Sequence, residues 1–147
     1  MRRVTTWGFL AAVGLATLLV EPAAYARGKS KVEWVRVDVP EREDGARVQK
    51  LLKQALAQAA KKANFGKGHT VSLTARVVEL NVEERGDVLR MTCTVMGRVV
   101  GGAGARSRIS YGGSPEKREA LEKEVLTQVA NGLVARLAQI VRTAEPR

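Results

Sequence analysis

The segment TVSLTARVVELNVEERGDVLRMTCTVMGRVVGGAGARSRISY, residues 70–111, decides the fold. It reads as three β-strands in succession, Thr70–Glu83, Val88–Val100 and Ala105–Tyr111. Glu84-Arg85-Gly86-Asp87 and Gly101-Gly102-Ala103-Gly104 separate them with turn chemistry. Strands joined this tightly form an antiparallel meander. In the middle strand Leu89, Met91, Cys93, Val95 and Val99 make an apolar face, with Arg90, Thr92, Thr94 and Arg98 on the other. The last strand sets Ala105, Ser107, Ile109 and Tyr111 against Arg106, Arg108 and Ser110. The first strand changes phase. Val71, Leu73, Ala75 and Val77 share one face, whereas Val78, Leu80 and Val82 share the other, which predicts a bulge near Val77–Val78.

The flanks supply a further strand and two helices. Val32–Val39 alternates, with Val35, Val37 and Val39 pointing one way and Trp34, Arg36 and Asp38 the other, until Pro40 stops it. Glu43 and Asp44 then place negative charge where a helix begins. Over Ala46–Ala63, Val48, Leu51, Leu52, Ala55, Leu56, Ala59 and Ala63 fall on one stripe, backed by lysines and glutamines. Near the other end Ser114 reads as an N-cap and Pro115 as the first helical position. Leu121, Val125, Val129, Leu133, Leu137 and Val141 follow at four-residue steps. The order β-α-β-β-β-α predicts an α+β two-layer sandwich: a four-stranded mixed sheet with both helices on one face. The first strand can lie beside either outer strand of the meander.

Met1-Arg2-Arg3, the uncharged apolar run Trp7–Val20 and Ala24-Tyr25-Ala26 together read as a secretory signal peptide cleaved after Ala26. The run of about 14 residues falls short of the ~18–20 a membrane anchor needs, and no cysteine near the cleavage site offers an acylation point. Residues 27–31 then form a flexible lead-in, 32–142 a single domain, and 143–147 a polar tail. Removing Arg2 and Arg3 leaves 23 basic residues, and removing Glu21 leaves 14 acidic ones, so the processed chain keeps a net charge of about +9. Nucleic acid is the first partner such a charge raises in the cytosol. For an exported protein the anions are lipid head groups, lipopolysaccharide, wall polymers and acidic proteins. Cys93 is the only cysteine, which excludes an internal disulfide and any multi-thiolate metal site.

The polar side of the sheet carries the most suggestive constellation. Arg76, Arg90, Arg98, Arg106 and Arg108 lie there, with Arg36 joining from the first strand and Ser72, Thr74, Thr92 and Thr94 among them. Guanidiniums on a wet sheet face bind phosphate or carboxylate bidentately; the competing reading is that they only solvate that face, their stems covering it. Trp34, placed on the same side, either stacks on an arginine or anchors a partner, or else packs against the chain termini. Gly101–Gly104 is not a phosphate loop, because no Gly-Lys-Ser/Thr follows and the next element is a strand. The glycines before Ser114-Pro115 are explained by a turn and a cap. Cys93 reads as an inert core thiol with no partner in the lone His69, and no carboxylate pair sits at a catalytic spacing. The chain is therefore expected to be no enzyme, with no cofactor and no metal.

With its long closing helix and the strand exit Arg106-Ser107-Arg108-Ile109-Ser110-Tyr111-Gly112-Gly113, this exported β-α-β-β-β-α chain resembles small bacterial envelope-accessory domains. Examples are the penicillin-binding-protein activator lipoproteins, the N-terminal domain of the Tol-system propeller protein, and the lipopolysaccharide-assembly lipoprotein of the outer membrane. The resemblance covers Val32 to Val141 and lacks the lipobox cysteine of lipoproteins. It implies a periplasmic or secreted, non-catalytic adaptor working through contacts with an envelope protein. The alternative is a binder of an anionic envelope ligand, such as lipopolysaccharide, a lipid head group or a wall polymer.

Overall fold

The computed structural model describes residues 28–145; the expected signal peptide, residues 1–26, lies outside them. The described chain is β1 (Lys31–Asp38), α1 (Gly45–Lys62), β2 (Thr70–Arg85), β3 (Val88–Val99), β4 (Gly104–Gly113) and α2 (Arg118–Ala144). The sheet order is β1-β2-β3-β4, with β1 parallel to β2 and the rest antiparallel. The expected α+β architecture is thus present, and the first strand lies beside β2.

The β2–β3 turn is the two-residue Gly86-Asp87, flanked by the pair Arg85 and Val88. Gly86 has φ +60°, a value that suits the first central position of a II′ hairpin and strains any residue with a Cβ. The ladder slips between Val77 and Glu79, so the predicted bulge is Val78. The slip returns Leu80 and Val82 to the core side, opposite Cys93 and Met91.

A second irregularity, between Trp34 and Arg36 in β1, corrects the sequence reading. Val35 drops out of the ladder and is 64% exposed, while Val37 is buried. Trp34 consequently shares the helix side with Val32 instead of the wet side with Arg36. Its indole lines a recess with Val32, Ala60, Ala63 and Phe65, and its Nε1 finds no hydrogen-bond partner among the described residues.

The apolar stripes of α1 and α2 close over this face. Val48, Leu52 and Leu56 of α1 and Val125, Val129, Leu133 and Leu137 of α2 join Leu73, Met91, Cys93 and Val95 in one buried core. Gln49 ties α1 to β1 by donating to the Val37 carbonyl at 2.7 Å, and Arg142 of α2 donates to the Asn64 carbonyl beyond α1. The cap of α2 differs from expectation. Pro115–Lys117 is a 3-10 turn, Ser114 makes no side-chain cap bond, and α2 starts only at Arg118. Asp44 occupies the N-cap position of α1 without bonding its free N–H groups, because its carboxylate is engaged by Arg42 and Arg47.

Cys93 is fully buried. Burial pushes its thiol up to about 12, the Glu79 charge adding to the shift and Arg42 opposing it. The thiolate is the reactive form, so alkylating reagents are expected to label Cys93 at neutral pH only as the protein unfolds. The linkage has a definite sign: from the ordinary value of 9.0 up to about 12 only the unfolded chain ionises here, so stability falls as pH rises through that window. Cys93→Ala should flatten that part of the alkaline limb, read by denaturant melts at stepped pH.

Candidate partner-binding face

The face turned away from the helices is organised in cross-strand rows. One row runs Asp38, Arg76, Met96, Arg106, and the next Arg36, Thr74, Arg98, Gly104. Beyond them come Glu79, Thr94, Arg108, then Asn81, Thr92, Ser110, and at the hairpin end Glu83, Arg90, Gly112. All six arginines expected on the wet side are there and exposed. The sheet does not use them alike.

In the middle of the face the Thr94 hydroxyl donates to Glu79 Oε2 at 3.1 Å, and Arg108 Nε lies 3.7 Å from the same oxygen. Thr94 is fully buried although it points away from the helices, because its neighbours close over it. Arg108 therefore has a counter-ion. Thr92 and Ser110 hydroxyls meet at 2.9 Å in the next row. Arg36 is held by Asp38 at 2.6 Å. Among the described residues, no carboxylate lies within ion-pair distance of Arg76, Arg90, Arg98 or Arg106.

Three of those four, Arg76, Arg98 and Arg106, converge with Arg36 around Met96, which is 45% exposed. A shallow depression of about 350 Å³ opens there, lined by Arg36, Asp38, Thr74, Arg76, Met96 and Arg98, with Arg106 standing outside its lining. Arg90 stands apart at the hairpin end. The structure thus splits the sequence-predicted set: a convergent group (Arg36, Arg76, Arg98, Arg106), a neutralised Arg108, a separate Arg90, and Trp34 on the opposite side of the sheet. Met96 and Glu79 were missed. Met96 falls on the arginine phase of β3, and Glu79 joins that face once Val78 is the bulge.

The chemistry available is bidentate hydrogen bonding to carboxylates or phosphates, plus apolar contact at Met96. Adjacent strands are ~4.8 Å apart, so Arg76 and Arg106, two strands apart, leave the sheet roughly 10 Å from each other. That spacing suits several separate anionic groups better than one small anion.

No protein-family model matches the sequence, and comparison with curated proteins gives no match. Among solved structures, a minor lipoprotein of Acinetobacter baumannii is similar at 11% identity and TM-score 0.41, covering 71% of this chain and 92% of that one. A lipoprotein from Caulobacter crescentus is similar at 16% identity and TM-score 0.44, with coverages of 73% and 88%. A hypothetical protein from Chlamydia trachomatis is similar at 11% identity and TM-score 0.46, with coverages of 79% and 99%. Likenesses at this level carry no functional argument. No described helix is long and apolar enough to cross a membrane.

Proposed function

We propose that the protein is a non-catalytic accessory domain of the bacterial cell envelope, exported by residues 1–26, whose open sheet face docks an acidic surface of an envelope protein. One observation carries the reading: Arg76, Arg98 and Arg106 surround an exposed methionine on a face that no helix covers, with no carboxylate in ion-pair reach among the described residues. Arg and Met are enriched where proteins meet. A guanidinium desolvated at the centre of such an interface typically contributes about 2 kcal/mol or more. The flat lining and the spread of the cations favour a protein surface over a single bound ligand.

The test is crosslinking of the processed protein in its native envelope, followed by isolation of what it touches. Exchanging Arg76, Arg98 and Arg106 together for alanine should abolish capture of that partner while leaving the thermal melt near wild type, since all three are exposed. Undiminished capture by the triple variant overturns the reading. Salt-sensitive binding to lipopolysaccharide or anionic vesicles, lost on replacing Arg90 and Arg106, would transfer the face to an anionic envelope ligand.

A further inference from the structure

Among the described residues, β2 offers a stretch of edge that no strand fills. β2 is 16 residues long and β1 only 8; their pairing ends at Asp38 and Arg76. Pro40 then turns the chain away, and among the described residues no strand lies beside residues 77–85 on that edge. A void of about 610 Å³ stands at the start of this overhang, lined by Pro40, Val78 and Leu80 and by the charged residues Glu41, Arg42, Glu43, Asp44 and Arg118.

The direction of the free backbone groups follows from the hairpin. Arg85 and Val88 flank a two-residue turn, so their N–H and C=O groups face each other, as do those of Glu83 and Asn81 toward β3. Leu80, Val82 and Glu84 must then aim theirs at the vacant side. The Leu80 carbonyl confirms the phase, since Arg42 Nη1 reaches it from there at 3.4 Å. The outer edge strands are better guarded. Arg136 occupies the Arg106 carbonyl on β4, and β1 carries the Val35 bulge together with the Lys31–Glu33 and Arg36–Asp38 ion pairs.

A row of outward backbone donors and acceptors in β geometry is matched only by another extended chain. We propose that this overhang pairs antiparallel with the same overhang of a second copy, with Val82 on the two-fold axis. This register matches Leu80 with Glu84, Val82 with Val82 and Glu84 with Leu80, using all three outward residues in about six backbone hydrogen bonds once the pairing strand displaces the long Arg42 contact from the Leu80 carbonyl. Shifting it by two residues in either direction leaves an outward residue unmatched or sets it against the Val78 bulge.

Charge selects the same register. On the open face it brings Glu79 of each copy opposite Arg85 of the other. The alternative pairing of Leu80 with Val82 would instead set Glu79 against Glu83. The contact is isologous and closes on itself, and it is independent of the arginine cluster around Met96.

Sedimentation of the purified protein across a wide concentration range should show a reversible monomer–dimer equilibrium. Arg85→Glu should shift it to monomer with an unchanged thermal melt, and Glu79→Arg combined with Arg85→Glu should restore the dimer. Val82→Cys supplies a control that does not depend on charge. Residues paired this way sit about 5.5 Å apart at Cα, within reach of a short thiol-to-thiol bismaleimide, and the native Cys93 is buried. Such a reagent should therefore give a covalent homodimer. A wild type that is monomeric throughout overturns the proposal, as does a dimer in which Val82→Cys fails to crosslink. Crosslinking of Val82→Cys to a different protein, with the wild type monomeric, would likewise assign the seat to a foreign strand and overturn it.

Discussion

Replacing Leu133 with alanine is expected to lower stability by about 3–5 kcal/mol, the upper range for deleting a buried leucine. For a small domain held by about 5–15 kcal/mol this is a large fraction of the whole. Leu133 is fully buried and seats α2 on the one core-facing glycine of β3. A Cβ at Gly97 would lie 2.9 Å from Leu137 Cδ1 and 3.0–3.1 Å from the Leu133 methyls. The absent side chain thus lets helix and strand approach. Because both elements are pinned elsewhere, they cannot collapse into the space that Leu133 leaves, and a cavity remains. The converse change, Gly97→Val, should overpack the same contact and cost about 1–3 kcal/mol. Gly97→Ala combined with Leu133→Ala should cost less than the two singles together, since the new methyl enters the vacated space. Urea melts with unchanged m-values would read all four variants; strict additivity would show that Gly97 and Leu133 do not share one contact.

How much of this was legible beforehand depended on whether a local irregularity left a trace in the residue pattern. The β2 bulge did, because apolar residues change phase in mid-strand at Val77 and Val78. The β1 bulge did not. Trp34 and Val35 are both apolar, so Val35, Val37 and Val39 fit an uninterrupted alternation as well as Val32, Trp34 and Val37 fit a broken one. That ambiguity sent Trp34 to the wrong side. The arginines of β3 and β4 were legible because strand periodicity alone fixes their face. Their inequality was not, since Glu79 meets Arg108 and Thr94 only after the bulge shifts its register. Ser114-Pro115 carries good cap chemistry, yet the chain spends its first turn as a 3-10 segment and the hydroxyl makes no cap bond. Glu122 drew no attention in the sequence, being one charge between Leu121 and Val125 on a long amphipathic helix. Tertiary packing turned it into the buried carboxylate of the helix interface.

That burial makes the Arg47–Glu122 pair asymmetric, and the asymmetry is measurable. The Glu122 side chain is 3% exposed and that of Arg47 47%. Arg47 Nη2 lies 3.0 Å from Oε1 and donates to Oε2 at 3.1 Å, while Oε1 has no hydrogen bond of good geometry. Arg47→Ala therefore strands a carboxylate between α1 and α2, and a loss of about 2–4 kcal/mol is expected. Glu122→Gln leaves Arg47 free to return to water, where it keeps Asp44 at 3.4 Å, so the change should fall within about 1 kcal/mol. The double variant should recover most of what Arg47→Ala loses, because no buried charge is then left without its partner. Asp44 serves as an internal control. Burial pushes its carboxyl up, but the Arg42 hydrogen bond and charge, with help from its own backbone N–H and Arg47, hold it below the ordinary 3.8. Its contribution is thus present above that value and lost as pH falls through the lower native one. With Arg42 still in place, the Arg47→Ala variant should keep most of that acid limb. Equal losses from Arg47→Ala and Glu122→Gln would mean that the buried side of the pair is not what holds the two helix N-termini together.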